Sequence, residues 1–261
     1  MTIYDSHYEV KLGLDKLDTL DKKNLHDAEI DWLLNKAHVR VTKRKYSEAE
    51  VVQKRIEDLD MLKVNFANQP AINATVVPNS GAVIYESDLS DLEYRLLFPL
   101  NGQVTITKTD CPDKTVDFDL TQSDDFTDAL SNTNYSPSYN WGVVLAEYSK
   151  DSTGNNQGSL FTYTDGTFAV SELFLNYYKY PRKVWIGTYD LTDDLKPKTA
   201  SNNYYVEEGV TYQASSGNVV HSELSEEVQL EIVNEAITLA ATNIEDPEYV
   251  GSKGSILQTQ E

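Results

Sequence analysis

The sequence predicts an α+β protein in which N- and C-terminal helices pack together, with a large, mostly antiparallel β insertion between them. Apolar residues recur at helical spacing near both ends of the chain. Between about 72 and 215 the apolar runs are short and rich in β-branched and aromatic residues. The chain has 261 residues, 40% of them apolar, which is enough for a real core and for one or two domains. The expected division is a helical region over 1–66, a β-rich insertion over 67–220, and a terminal helix with a polar tail over 221–261.

In the first region Val10, Leu14 and Leu17 follow i, i+4, i+7 spacing, although Gly13 weakens a helix there. A polar link, Asp21 to Asn24, precedes a stronger stripe of Ile30, Leu33, Leu34, Ala37 and Val41, with Trp32 beside it. Asn24 or Asp27 is placed to cap it, because either side-chain oxygen can accept an orphan backbone N–H. Arg40, Lys43, Arg44 and Lys45 crowd its end, where positive charge opposes the negative pole of the helix; contact with nucleic acid or a partner is the other reading. Ser47-Glu48-Ala49-Glu50 fits a capping box, so a third helix is expected from Ser47 through Val52, Ile56, Leu59 and Leu62, forming an αα-hairpin with the second.

The insertion offers strand-like runs at Ala82–Tyr85, Val104–Thr107, Val143–Leu145, Phe161–Tyr163 and Val184–Gly187. Pro70 and Pro78-Asn79-Ser80-Gly81 punctuate it, and Asn101-Gly102 and Asp165-Gly166 read as turn dipeptides. Residues 151–158 form a polar loop. Near the end, Ser222 or Ser225 can cap a helix whose first turn carries Glu226 and Glu227. One stripe is Val228, Ile232, Ala236 and Leu239; a second is Leu230, Val233, Ile237 and Ala240. Such a broad apolar surface needs cover on two sides, from the N-terminal helices or a neighbouring subunit. Asp246-Pro247 stops the helix, and a polar tail from Gly251 to Glu261 follows, of a kind that orders on a partner.

Charge and chemistry narrow the function. The chain carries 42 acidic and 22 basic residues, a net charge of −20, which repels DNA phosphates. That surface reads either as a solubility device or as one past which DNA slides without sticking. Cys111 is the single cysteine, so no intrachain disulfide forms. Its setting between Asp110 and Asp113 disfavours a thiolate nucleophile. Met1-Thr2-Ile3-Tyr4-Asp5 has neither the basic start nor the apolar core of a signal peptide, and no apolar run is long enough to span a membrane.

His7, His26, His38 and His221 lack metal-ligand spacing and read as surface or packing residues. No nucleophile elbow, P-loop or dinucleotide fingerprint is present. With so many acids, a glycosidase-like carboxylate pair carries no weight. The 151–158 loop has alternating Asp and Asn but lacks the EF-hand glycine and terminal glutamate. Tyr135, Tyr139 and Trp141, and separately Tyr177, Tyr178 and Tyr180, form aromatic clusters that suit a core or subunit interface, or a sugar-stacking surface. No catalytic, cofactor or metal residue is assigned.

Several stretches together carry a resemblance. They are Tyr8 to Leu20; Glu29-Ile30-Asp31-Trp32-Leu33-Leu34-Asn35-Lys36-Ala37; Gln53 to Leu59; Tyr177-Tyr178-Lys179-Tyr180-Pro181-Arg182-Lys183-Val184; and Leu224 to Val233. The set resembles the neck ring, or head–tail connector, proteins of crAss-like podoviruses that infect gut Bacteroidales, over roughly 5–66 and 170–245. The resemblance implies a virion protein rather than an enzyme, assembled in the host cytoplasm. It implies a closed homo-oligomeric ring, a dodecamer, stacked between the portal protein and other neck or tail rings. DNA would pass through the ring without sequence-specific binding, and no membrane or cofactor is involved. The competing readings are a glycan-binding or fibre-associated virion protein, and a hydrolase.

Overall fold

A computed structural model describes residues 1–15, 25–49, 57–65, 72–73, 75–78, 83–89, 92–121, 136–149, 158–191 and 205–243. The chain is α+β with a β insertion, and it divides into two compact units. A helical unit comprises Met1–Leu62 and Pro181–Glu261; a sheet unit comprises Lys63–Tyr180.

The helical unit contains α1 (Ile3–Asp15), α2 (Asp27–Ala49), a 3₁₀ helix (Glu57–Leu62), a two-stranded hairpin (Tyr205–Glu207 with Val210–Tyr212) and α3 (Glu226–Asn243). On α2 the predicted stripe of Ile30, Leu33, Leu34, Ala37 and Val41 is buried, while Trp32 is exposed with the Lys36 ammonium 4.6 Å from its ring centre. On α3 Val228, Ile232, Val233, Ala236, Leu239 and Ala240 are all buried, and Leu230 is exposed. The cover comes from within the chain, since α1 and α2 both pack on α3. Gly13 has a packing role: a Cβ there would collide with the Ile237 side chain, so its absence lets α1 approach α3 closely.

Two helix-end expectations are corrected. Glu29, not Asp27, meets the start of α2, its carboxylate accepting the His26 N–H at 2.8 Å; Asn24 lies outside the described residues. Ser47 does not open a third helix. It lies inside α2, and its hydroxyl donates to the Arg44 carbonyl at 2.8 Å. A side chain that bonds back onto its own helix leaves the preceding turn intact, so α2 runs on. Leu59 and Leu62 are buried as expected, but on a 3₁₀ helix. The rest of the proposed third helix, with Glu50, Val52 and Ile56, lies outside the described residues, as do Leu17, the 21–24 link, Pro70, 151–157, Tyr135, Asp246-Pro247 and the polar tail.

Among the described residues the sheet unit holds β1 (Lys63–Val64), β2 (Ile72–Asn73), β3 (Thr75–Pro78), β4 (Val83–Asp88), β5 (Leu96–Thr107), β6 (Lys114–Leu120), β7 (Val144–Ser149), β8 (Ser159–Thr164) and β9 (Ala169–Lys179). Their order is β1-β9-β5-β6-β7-β8-β4-β3, with β2 also on β9; among these described strands β6–β7 is the one parallel pair and the rest are antiparallel. Val104, Ile106, Leu160, Leu173 and Tyr177 lie at the centre of the core, fully shielded from solvent. Asp165-Gly166 turns between β8 and β9 as expected, with Gly166 at φ 78° and the Asp165 carboxylate accepting the Thr167 N–H.

Asn101-Gly102 does not turn. It lies inside β5, where the register against β9 shifts between Pro99 and Asn101. A Cβ on Gly102 would strike the Phe174 carbonyl oxygen and the Phe118 ring, so the glycine permits a close backbone approach at an irregularity.

The insertion also ends earlier than 220. The Val184–Gly187 run is not a strand of the sheet but part of the helical unit, held by one isolated bridge between Trp185 and Val220. The reason lies in its hydrogen bonds. The Val184 N–H goes to Asn35 Oδ1 at 2.8 Å and the Ile186 N–H to Asp31 Oδ2 at 3.0 Å, so α2 side chains stand where strand carbonyls would. Trp185, buried completely, packs against Tyr212, and Tyr205 joins them in a small aromatic core.

Candidate functional site

The densest polar arrangement grows from the inward face of α2. Asp31, His38 and Lys45 recur every seven residues and are all buried, alongside the apolar stripe. Each would be costly to bury alone, and each finds partners from distant parts of the chain.

Asp31 is fully buried and accepts from three directions. The Ile186 N–H and the Tyr189 hydroxyl meet Oδ2 at 3.0 and 2.9 Å, and His7 Nε2 of α1 lies 2.6 Å from Oδ1. His7 Nδ1 faces Asp27 Oδ1 at 3.7 Å, and Lys11 Nζ lies 3.3 Å from that same oxygen. Burial, and then the Asp31 charge, push the Tyr189 phenol far above its ordinary range, so it stays protonated and serves as a fixed donor. The connectivity superficially resembles a catalytic relay. However, the second nitrogen of His7 faces a carboxylate rather than a hydroxyl or thiol nucleophile, and the imidazole is almost wholly shielded. The arrangement fastens α1, α2 and the 186–189 segment to one another.

His38 sits deeper along the same face. Its Nε2 lies 2.8 Å from Ser222 Oγ, and that hydroxyl oxygen also accepts the Leu224 N–H at 3.3 Å. Thus Ser222 braces the approach to α3 against α2. Burial pushes the imidazole down to about 4, against the opposing influence of the Leu34 carbonyl and Glu223, so His38 is neutral near pH 7. A cavity of about 10 Å³ lined by Ser6, His38, Ser222 and Gln229 among apolar neighbours adjoins it. His221, next to Ser222, accepts the Ile3 N–H through Nδ1 at 3.1 Å. His26 is exposed.

The basic cluster does not stand at the end of α2, and three of its four cations pair with acids of the same chain. Lys45 Nζ lies 2.9 Å from Asp58 and 2.8 Å from Glu231; burial disfavours its charge, but Glu231 and Asp58 outweigh that and raise its pKa. Arg40 and Arg44 both reach Glu235, at 3.4 Å, and Arg44 also reaches Glu231 at 3.6 Å. These cations bind α3, and α2 continues past them to Ala49. Nothing in the sequence of α2 alone signals this, because the α3 acids that receive them lie about 190 residues later.

The aromatic clusters separate. Tyr177 and Tyr178 are core residues of the sheet unit, the Tyr177 hydroxyl donating to the Tyr94 carbonyl at 3.0 Å, while Tyr180 lies under the Arg95 guanidinium at 4.4 Å. Tyr177 and Tyr178 are therefore buried within the chain and offer no stacking surface, and Tyr180 is half-buried. Tyr139 is also buried, whereas Trp141 is 86% exposed. Cys111 is exposed. Among the described residues no three His, Cys, Asp or Glu side chains are grouped to hold a metal ion, and no helix is long and apolar enough to cross a membrane. No known family model matches the chain, and no curated protein matches it.

Proposed function

We propose that this chain is a structural subunit of a closed ring in a phage neck, joining portal to tail around the DNA channel. The observation that carries the reading is where the resembling stretches fall in the fold. Those at the two ends of the sequence, 8–15, 29–37 and 224–233, lie on α1, α2 and α3, which pack together, while Lys63–Tyr180 is a separate compact insertion. Such an arrangement suits a ring body built from the two ends of the chain, with the insertion as an added decoration.

Electrostatics support the same reading. The cations Arg40, Arg44, Lys45 and Arg182 are paired with carboxylates. Lys36, Arg95, Lys108, Lys114, Lys179 and Lys183 lie over aromatic rings. Ten of the chain's 22 basic side chains are thereby engaged within the chain, and its net charge of −20 disfavours adhesion of DNA phosphates. Quantitative mass spectrometry of purified particles tests the proposal. About one copy per portal subunit, about a dozen per particle, is expected from closed cyclic symmetry. Absence from the particle, or a ratio far above one, rejects it.

A further inference from the structure

One buried amide of the helical unit carries an acceptor that no neighbouring group serves. Gln229, in the first turns of α3, is 7% exposed. Its Nε2 donates to the Leu224 carbonyl at 2.6 Å. That bond fixes which way the amide faces, because only its NH2 end can meet a carbonyl. Oε1 is therefore turned away from Leu224, and it is shielded from solvent with no donor among the described residues. A buried amide oxygen loses its hydration on folding, and the loss is offset only where a new donor reaches it.

Gln229 lines the cavity of about 10 Å³ beside His38. Ser6 of α1, His38 of α2 and Ser222 bring further polar groups to its wall, and the rest of the wall is aliphatic. Ser6, His38 and Gln229 are all buried. The Ser6 hydroxyl donates to the Thr2 carbonyl at 3.2 Å, and its oxygen can still accept. Ser222 Oγ takes the Leu224 N–H at 3.3 Å and can accept once more. His38 Nδ1 is buried too and, apart from the influence of the Leu34 carbonyl, has no partner among the described residues.

Size and polarity together decide what such a space holds. About 10 Å³ is the room that one water needs, and it is too little for a larger ligand. Cavities that stay dry are apolar throughout, whereas a buried water uses about two to four polar partners. This wall carries four polar side chains.

We propose that the cavity is the binding site of a single internal water, which donates a hydrogen bond to Gln229 Oε1 and joins that amide to the side chains of Ser6, His38 and Ser222. Water supplies the donor that the wall lacks, since the Gln229 NH2 is engaged by Leu224 and the Ser6 hydroxyl by Thr2. It ties α1, α2 and α3 at one point, together with the Ser222 approach to α3. The site lies wholly within the helical unit and does not depend on the ring reading.

The test is a crystal structure of the full chain at a resolution that shows ordered water, paired with oxygen-17 relaxation dispersion in solution. The second measurement counts waters that leave more slowly than the protein tumbles. A density peak within about 3 Å of Gln229 Oε1 is expected. Gln229→Met keeps the length of the side chain and removes the acceptor, and it should show one long-lived water fewer than the native chain. Circular dichroism checks that the variant folds; if it does not, the native crystal structure decides alone. A native chain with no water density in the cavity overturns the proposal. An equal count of long-lived waters in the native and Gln229→Met chains overturns it as well, because the water would then not depend on the amide oxygen.

Discussion

The two units bury polar groups in opposite ways. In the sheet unit three buried hydroxyls serve neighbours on the adjacent strand. Ser159 donates to Glu86, Thr162 to the Tyr85 carbonyl and Thr164 to the Val83 carbonyl, all across the β4–β8 ladder. In the helical unit the buried polar groups reach across the sequence. Asp31 serves Ile186 and Tyr189, and His38 meets Ser222. A sheet satisfies its polar atoms through the same pairing that makes it a sheet. Helices satisfy their backbones internally, so the contacts that fix how they pack must come from side chains. The helical unit should therefore be the more sensitive to single polar substitutions and to pH, and the sheet unit to changes of shape.

The largest effect that would sharpen the contrast is at Asp31. Asp31→Ala leaves the Ile186 N–H, the Tyr189 hydroxyl and His7 without their shared acceptor, and a loss of about 3–5 kcal/mol is expected. Urea denaturation followed by the fluorescence of buried Trp185 measures it, and a loss below about 1 kcal/mol would break the comparison.

Next is pH. The His38 pKa is held at about 4 in the folded state against 6.5 for the free side chain, so the unfolded state binds the proton first as pH falls. Its contribution is fully present above pH 6.5 and is lost as pH drops through 4, about 3 kcal/mol in all. Replacing His38 with Gln should flatten that part of the stability–pH profile, whatever it does to stability at pH 7.

In the sheet unit the corresponding sensitivity is to volume. Gly102→Ala forces a methyl group against the Phe174 carbonyl and the Phe118 ring, with a destabilisation of about 1–3 kcal/mol. Gly13→Ala is the matched test in the helical unit. The nearest atoms its methyl group meets all belong to the Ile237 side chain, so Gly13→Ala should cost less in an Ile237→Ala background than in the native chain. Thermal melts of the single and double variants read both outcomes.

The smallest effect is at the surface. Arg40→Ala removes one exposed contact to Glu235 while Arg44 keeps another, so the change should stay below about 0.5 kcal/mol and vanish in high salt. A larger, salt-insensitive loss would mean that the basic cluster of α2 has a structural weight beyond its charge.

The sequence by itself determined the helical stripes of α2 and α3, four of the five strand-like runs, the Asp165-Gly166 turn and the acidic balance. All of these follow from local periodicity, turn chemistry or simple counting. It did not determine that Asp31, His38 and Lys45 lie inward, although their sevenfold spacing was a readable sign. A polar residue beside an apolar stripe goes inward only if a partner waits there, and the partner of Asp31 at Ile186 is 155 residues away. The same limit hid the fate of Val184–Gly187, a strand by composition whose Val184 and Ile186 N–H groups are taken by α2 side chains. It also hid which aromatic residues turn out to solvent. Tyr139 and Trp141 have similar claims to burial by residue type, and only the tertiary structure, which gives the Tyr139 hydroxyl the Pro112 carbonyl, decides that one is anchored and the other displayed. Periodicity fixes which face of an element is apolar because that is a property of neighbouring residues; the partner of a buried polar group is a property of the whole chain's path.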